Sequence, residues 1–173
     1  SFGTSDQSQM SFLILSNESI LESISHSSLL IDLIMSRLNK QTRSERSLKM
    51  ISDLLENLIK LFPDQLTDYF VQNASKTTHL MTLLGSGNVS SMLFSLIDSQ
   101  QTNPALHRLF VHFSIAVLPH LLQFDDTPDS DVLQNSVRFL RMIVRSPSLS
   151  SSPHFSLLAD HLKQKSFLDS LFD

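Results

Sequence analysis

The chain has 173 residues, a formal net charge of −4 and no cysteine. That length suits one domain with its own core. The acidic balance argues against a surface built to grip nucleic-acid phosphates, and the missing thiols exclude disulfides and thiolate metal sites. Charged residues make up only 17 % of the chain, and 31 serines take over much of the polar surface that Lys and Glu usually supply.

Residues 1–8 (SFGTSDQS) have no periodicity and are expected to be a loose lead-in to one helical domain over 9–173. Asn17 is placed as the N-cap of a short helix carrying Ile20, Leu21 and Ile24. Ser27 and Ser28 cap the next, with Leu30, Leu33, Ile34 and Leu38 along one face. The link over 39–43 is polar. Arg37, Lys40, Arg43, Arg46 and Lys49 around it read as a solvated loop and first turn.

The clearest amphipathic pattern covers 44–62, where Leu48, Ile51, Leu54, Leu55, Leu58 and Leu61 recur at helical spacing. Pro63 closes that helix and opens a short one with Leu66, Tyr69, Phe70 and Val71. A third begins near Ser75, carries Leu80, Met81, Leu83 and Leu84, and is expected to end at Gly85 as a left-handed C′ residue. Asn88 is expected to cap a helix with Val89, Met92, Leu93, Leu96 and Ile97.

Pro104 suits the first turn of a long helix to about residue 124, kinked at Pro119. Leu106, Leu109, Phe110, Phe113 and Val117 line one side of it and Val111, Ile115 and Leu118 another. A helix apolar on two sides belongs between neighbours. An acidic loop over 125–130 leads to a helix near 131–145 with Val132, Leu133, Val137, Leu140, Ile143 and Val144. Residues 146–152 read as a Ser/Pro loop before one or two short helices through 168.

No segment alternates with period two between turn signals, so no sheet is expected. About nine or ten short helices on short polar links predict an all-α chain arranged as an α-solenoid, in the manner of armadillo or HEAT repeats. No strict repeat occurs, and a compact non-repeating bundle is the competing arrangement.

The chemistry-bearing residues do not assemble into a motif. His107 and His112 are five apart, His112 and His120 eight, His154 and His161 seven, whereas a helical zinc site wants i, i+4 with a further ligand. Only Asp160 stands near the last pair. The acids Asp125, Asp126, Asp129 and Asp131 fail as a calcium loop: counted from Asp125, Ser130 replaces the required Gly and Ser136 the required Glu. They read instead as acids at a helix start, with Asp129 or Ser130 as the cap. There is no P-loop, GxGxxG or GxSxG. No catalytic, cofactor or metal residue is assigned, no cofactor is expected, and the protein-binding residues are left undefined.

Thr127-Pro128, Ser146-Pro147 and Ser152-Pro153 are candidate proline-directed phosphorylation sites in expected loops. The sequons at Asn17, Asn73 and Asn88 are what a serine-rich chain produces by chance. No run of about 18 apolar residues occurs, so no membrane span is expected. A start at Ser1 with no methionine leads us to expect a piece of a longer protein.

Three stretches between Leu13 and Ile97 resemble one known family. The first is Leu13-Ile14-Leu15-Ser16, followed by Ile20, Leu21, Leu29 and Leu30. The second runs over 51–70 (ISDLLENLIKLFPDQLTDYF), and the third over 83–97 (LLGSGNVSSMLFSLI). They are similar to segments of the SAPS family, the regulatory subunits of protein phosphatase 6 and its fungal counterpart. Ser91 and Ser95 depart from it, standing where the family has Asp and Arg. The resemblance implies a divergent helical-repeat scaffold that holds a Ser/Thr phosphatase catalytic subunit and directs it to substrates, and no phosphatase-contact residue transfers with it.

The expected function is therefore a non-catalytic protein-binding scaffold, a regulatory or targeting subunit of a Ser/Thr protein phosphatase. The alternative is an armadillo-like adaptor or oligomerisation domain for an unrelated assembly. Its expected setting is intracellular, cytoplasmic or nuclear, with protein partners, self-association as an option, and neither nucleic acid nor membrane.

Overall fold

Asn17 and Ser27 begin the described chain's first two helices as N-caps. Both sit in extended backbone, and their side-chain oxygens accept from Ile20 N–H and Leu30 N–H at 3.3 Å. Each such cap is worth about 1 kcal/mol. The structure is a computed structural model and describes residues 17–38, 45–99, 103–122 and 130–163.

Among the described residues there are ten α-helices, one 3-10 turn and no strand. In chain order they are α1 (Glu18–Ser25), α2 (Ser28–Arg37), α3 (Glu45–Leu61), α4 (Pro63–Gln72), α5 (Ala74–Thr82), the 3-10 turn Leu83–Gly85, α6 (Gly87–Ser99), α7 (Pro104–Leu122), α8 (Ser130–Arg145), α9 (Pro147–Ser150) and α10 (Phe155–Leu162). Pro63 and Pro104 occupy first helical positions, where the missing N–H leaves no bond unmade. Asn103 completes the start of α7 by accepting from Ala105 N–H at 3.0 Å.

Three local expectations are corrected. Gly85 is not a left-handed C′ residue, because α5 tightens into a 3-10 turn that satisfies the last carbonyls by shorter bonds. Leu83 N–H reaches the Leu80 and Met81 carbonyls, and Ser86 N–H the Leu83 carbonyl. Asn88 is not the cap of α6, which starts one residue earlier at Gly87. Its amide donates to Glu45 Oε2 at 3.0 Å and ties α6 to the start of α3. Residues 146–152 are not a plain loop: Ser146 caps the four-residue α9 by accepting from Leu149 N–H, and Pro147 takes the first position.

Pro119 lies inside α7 near its described end. The acids at 125, 126 and 129, Thr127-Pro128, the 39–43 link and the 1–8 lead-in lie outside the described residues.

The core gathers around α7. Leu106, Leu109, Phe110, Phe113 and Val117 on one side and Val111 and Leu118 on another are buried, and α7 packs on α4, α5, α8 and α10. A helix apolar on two sides is thus packed among several neighbours, as its sequence pattern expects. Phe70, Phe110, Phe113 and Phe139 are fully buried, and Phe70 meets Phe113 edge to face at 5.2 Å. Burying each such ring stabilises by roughly 2–3 kcal/mol.

Consecutive helices pack as α1 on α2, α3 on α4, α4 on α5, α7 on α8 and α8 on α9. Across the chain α3 packs on α6, α4 on α7, the 3-10 turn on α8, and α7 on α10. Polar groups in this interior are mostly tied to carbonyls: Thr67 to Ala105, Thr77 to Phe70 and Ser114 to Phe110. The Ser52 and Ser136 hydroxyls are buried without a partner.

Candidate functional site

A groove of about 760 Å³ lies where the C-terminal end of α6 meets α8 and the start of α9. Its composition follows from the helical period of α8. Phe139 and Ile143 turn into the core, which leaves Arg138, Arg141 and Arg145 on one outward stripe. Residues three and four apart fall within about 60° of one another around a helix. Ile97, Met142 and Pro147 add apolar walls, and Asp98 is the one carboxylate lining the groove.

Four cations elsewhere on the surface are held in ion pairs. Lys49 pairs with Asp53 at 3.0 Å, Lys60 with Glu56 at 2.6 Å, Lys76 with Asp32 at 3.0 Å and Arg108 with Asp68 at 2.9 Å. Arg138 instead lies over the Phe94 ring, 4.4 Å from its centroid. Arg141 and Arg145 are exposed and have no carboxylate within ion-pair distance among the described residues. No acidic residue stands three or four positions from any of the three. Like charges one turn apart cost a helix about 0.2–0.5 kcal/mol per pair, and the C-terminal dipole offsets that only for Arg145 in the last turn. The stripe is therefore kept at a small cost to the fold.

A smaller polar hollow of about 250 Å³ is lined by residues of α1, α2 and α4, several of which are engaged within the fold. Tyr69 donates to Asp32 Oδ1 at 2.5 Å, Asn73 donates to the Tyr69 carbonyl, and Ser25 to the Glu22 carbonyl. The Tyr69 hydrogen bond, helped by Lys76, holds the Asp32 carboxyl below its usual value. Burial first and Asp32 second push the Tyr69 hydroxyl well above the ordinary tyrosine range.

The histidines are spread through the fold. His107 and His112 lie on α7, His154 caps α10 and His161 lies in its last turn. Among the described residues no three of His, Cys, Asp and Glu stand together as a metal cluster. His112 is half-buried with Nε2 unpartnered. Burial lowers its pKa below 6.5, a hydrogen bond to the Phe70 backbone opposes this, and nearby Arg108 adds to the lowering.

Both Ser-Pro candidates use their hydroxyls within the fold. Ser146 is buried under Leu149 N–H, and Ser152 is buried and accepts from His154 N–H at 3.3 Å. The three sequon asparagines likewise use their side chains within the fold, toward Ile20, Tyr69 and Glu45. Among the described residues no single helix is long and apolar enough to cross a membrane. One pair, Ala74–Gly85 with Gly87–Asp98, passes on length and composition but is bent by 111°.

The arginine stripe escaped the sequence reading, which followed the apolar positions of this helix. Its signal was available: three cations at spacings of three and four with no acid at compensating positions. No family model, curated protein or solved structure matches the chain.

Proposed function

We propose that the chain is a non-catalytic protein-binding scaffold whose partner surface is the arginine-lined groove of α6, α8 and α9. The observation that carries this is the stripe Arg138, Arg141 and Arg145 lining the groove, in which Arg138 stacks on Phe94 while Arg141 and Arg145 have no carboxylate partner among the described residues. The helical-repeat reading is compatible with the packing, in which α3 lies on α6, α4 on α7 and α7 on α10, alongside α5 on α7 and α6 on α8. A stack of that kind offers an extended surface, and its mechanism is to raise the effective concentration of the proteins it joins.

The resemblance of residues 13–97 to the SAPS family supplies the candidate client, a Ser/Thr phosphatase catalytic subunit, and the absence of cysteine suits a cytoplasmic or nuclear setting. Affinity capture with the full chain tests this. The expected result is retention of a phosphatase catalytic subunit, and recovery of unrelated proteins alone would replace the phosphatase reading with that of a general adaptor.

A second reading, an oligomerisation domain, is favoured by one feature. Ile20 on α1 and Leu29, Leu30 and Leu33 on α2 are exposed, Leu29 by 76 %. Exposed apolar side chains gathered on two packed helices suit the packing of another chain.

A further inference from the structure

We infer that the α6–α8–α9 groove receives an acidic amphipathic helix of a partner protein. Its carboxylates, one turn apart, meet Arg138, Arg141 and Arg145, and an apolar side chain enters between the walls of Ile97 and Met142. The inference rests on the protein-binding reading and names the chemistry of the partner.

Spacing selects a helix over other acidic ligands. Successive arginines of the stripe are separated by about 5 Å along α8, the rise of one helical turn, so carboxylates at i, i+4 and i+7 of a second helix keep step with them. Same-side residues of an extended strand recur every ~7 Å and fall out of register. The cationic stripe is complementary to such a helix; the chain's overall charge of −4 opposes any anionic partner and weighs most on the denser charge of a nucleic-acid backbone. The half-buried Met142 at the groove is a flexible side chain that accommodates varied apolar anchors. Asp98, the one carboxylate in the lining, disfavours an acidic residue beside it.

The test is fluorescence anisotropy with a labelled helical peptide bearing glutamates at i, i+4 and i+7 and leucines on the adjoining stripe. A lysine-for-glutamate version and a polyuridine oligonucleotide serve as controls. Saturable binding of the glutamate peptide that weakens with salt is expected. Arg141→Glu should weaken it about tenfold, since reversal replaces attraction by repulsion. The triple variant Arg138→Glu, Arg141→Glu, Arg145→Glu should prefer the lysine peptide. All three side chains face solvent, and a urea titration of each variant shows that it is folded before binding is read.

Equal affinity of wild type and triple variant for the glutamate peptide overturns the inference, as does tighter binding of the oligonucleotide. If the peptide fails while the triple variant still retains a phosphatase subunit, the groove assignment falls and the scaffold stands. If the peptide binds as expected while no client is retained, the phosphatase reading falls and the groove stands.

Discussion

Helices α2 and α8 each bury one side, and they differ in what the other side offers. Below its surface α2 sends Ile31 and Met35 into the core; outward it shows Leu29, Leu30 and Leu33. The buried side of α8 carries Phe139 and Ile143, while its outward side carries three arginines flanked by Val137 and Val144, each about half exposed. An uncharged apolar face attracts any apolar face, its own copy included. A cationic stripe adds repulsion of wrong partners and a fixed register, so it selects. The chain thus has one surface suited to indiscriminate packing and another suited to recognition.

The largest expected effect separates the two sides of α8. Phe139→Ala should lower stability by about 4 kcal/mol in a urea titration, because a fully buried ring leaves a cavity. Arg141→Ala should change it by less than about 0.5 kcal/mol. A comparable loss in both would mean that the arginine serves the fold.

Ser136→Ala should raise stability by about 1 kcal/mol, since the wild-type hydroxyl is fully buried with no partner. A loss on that change would mean that the hydroxyl is satisfied. It also checks that the core side of α8 is optimised by packing alone.

Acid should act through α7. The folded state favours neutral His112, so its contribution is present above the ordinary value of 6.5 and drains away as pH falls below that value through the depressed one. The urea midpoint should therefore fall from neutral pH to about 5.5, less steeply in His112→Gln. An unchanged slope in the variant would remove His112 as the cause.

Smallest in stability, and sharpest for α2, is Leu29→Lys with Leu33→Lys. Folding should shift by less than about 0.5 kcal/mol, because both side chains are exposed. Any concentration-dependent mass in light scattering of the wild type should disappear. Persistence of that association in the double variant would move it away from α2.

Most of the helices were legible in the sequence because three independent signals agree at their ends: apolar spacing, polar caps at Asn17 and Ser27, and prolines at 63 and 104. The misses occurred where the backbone had two ways to satisfy the same groups. At Gly85 a 3-10 turn did what a left-handed cap would have done, and Asn88, free of capping, reached across to Glu45. Ser146-Pro147 carried both loop and helix-start signals, and helix won because Leu149 is buried beneath it. The site was half legible. The arginine spacing is local, but whether a carboxylate from another helix neutralises the stripe depends on tertiary packing, and only the fold shows that Asp98 is the one carboxylate lining the groove.

The contrast between α2 and α8 is tested most directly by titrating isotope-labelled protein with the glutamate peptide and following backbone amide resonances. The account predicts shifts concentrated at the end of α6, along α8 and at the start of α9, around Asp98, Arg141 and Ser146, with α2 silent. Shifts centred on Leu29 and Leu33, or none at the arginines under saturating peptide, would contradict it.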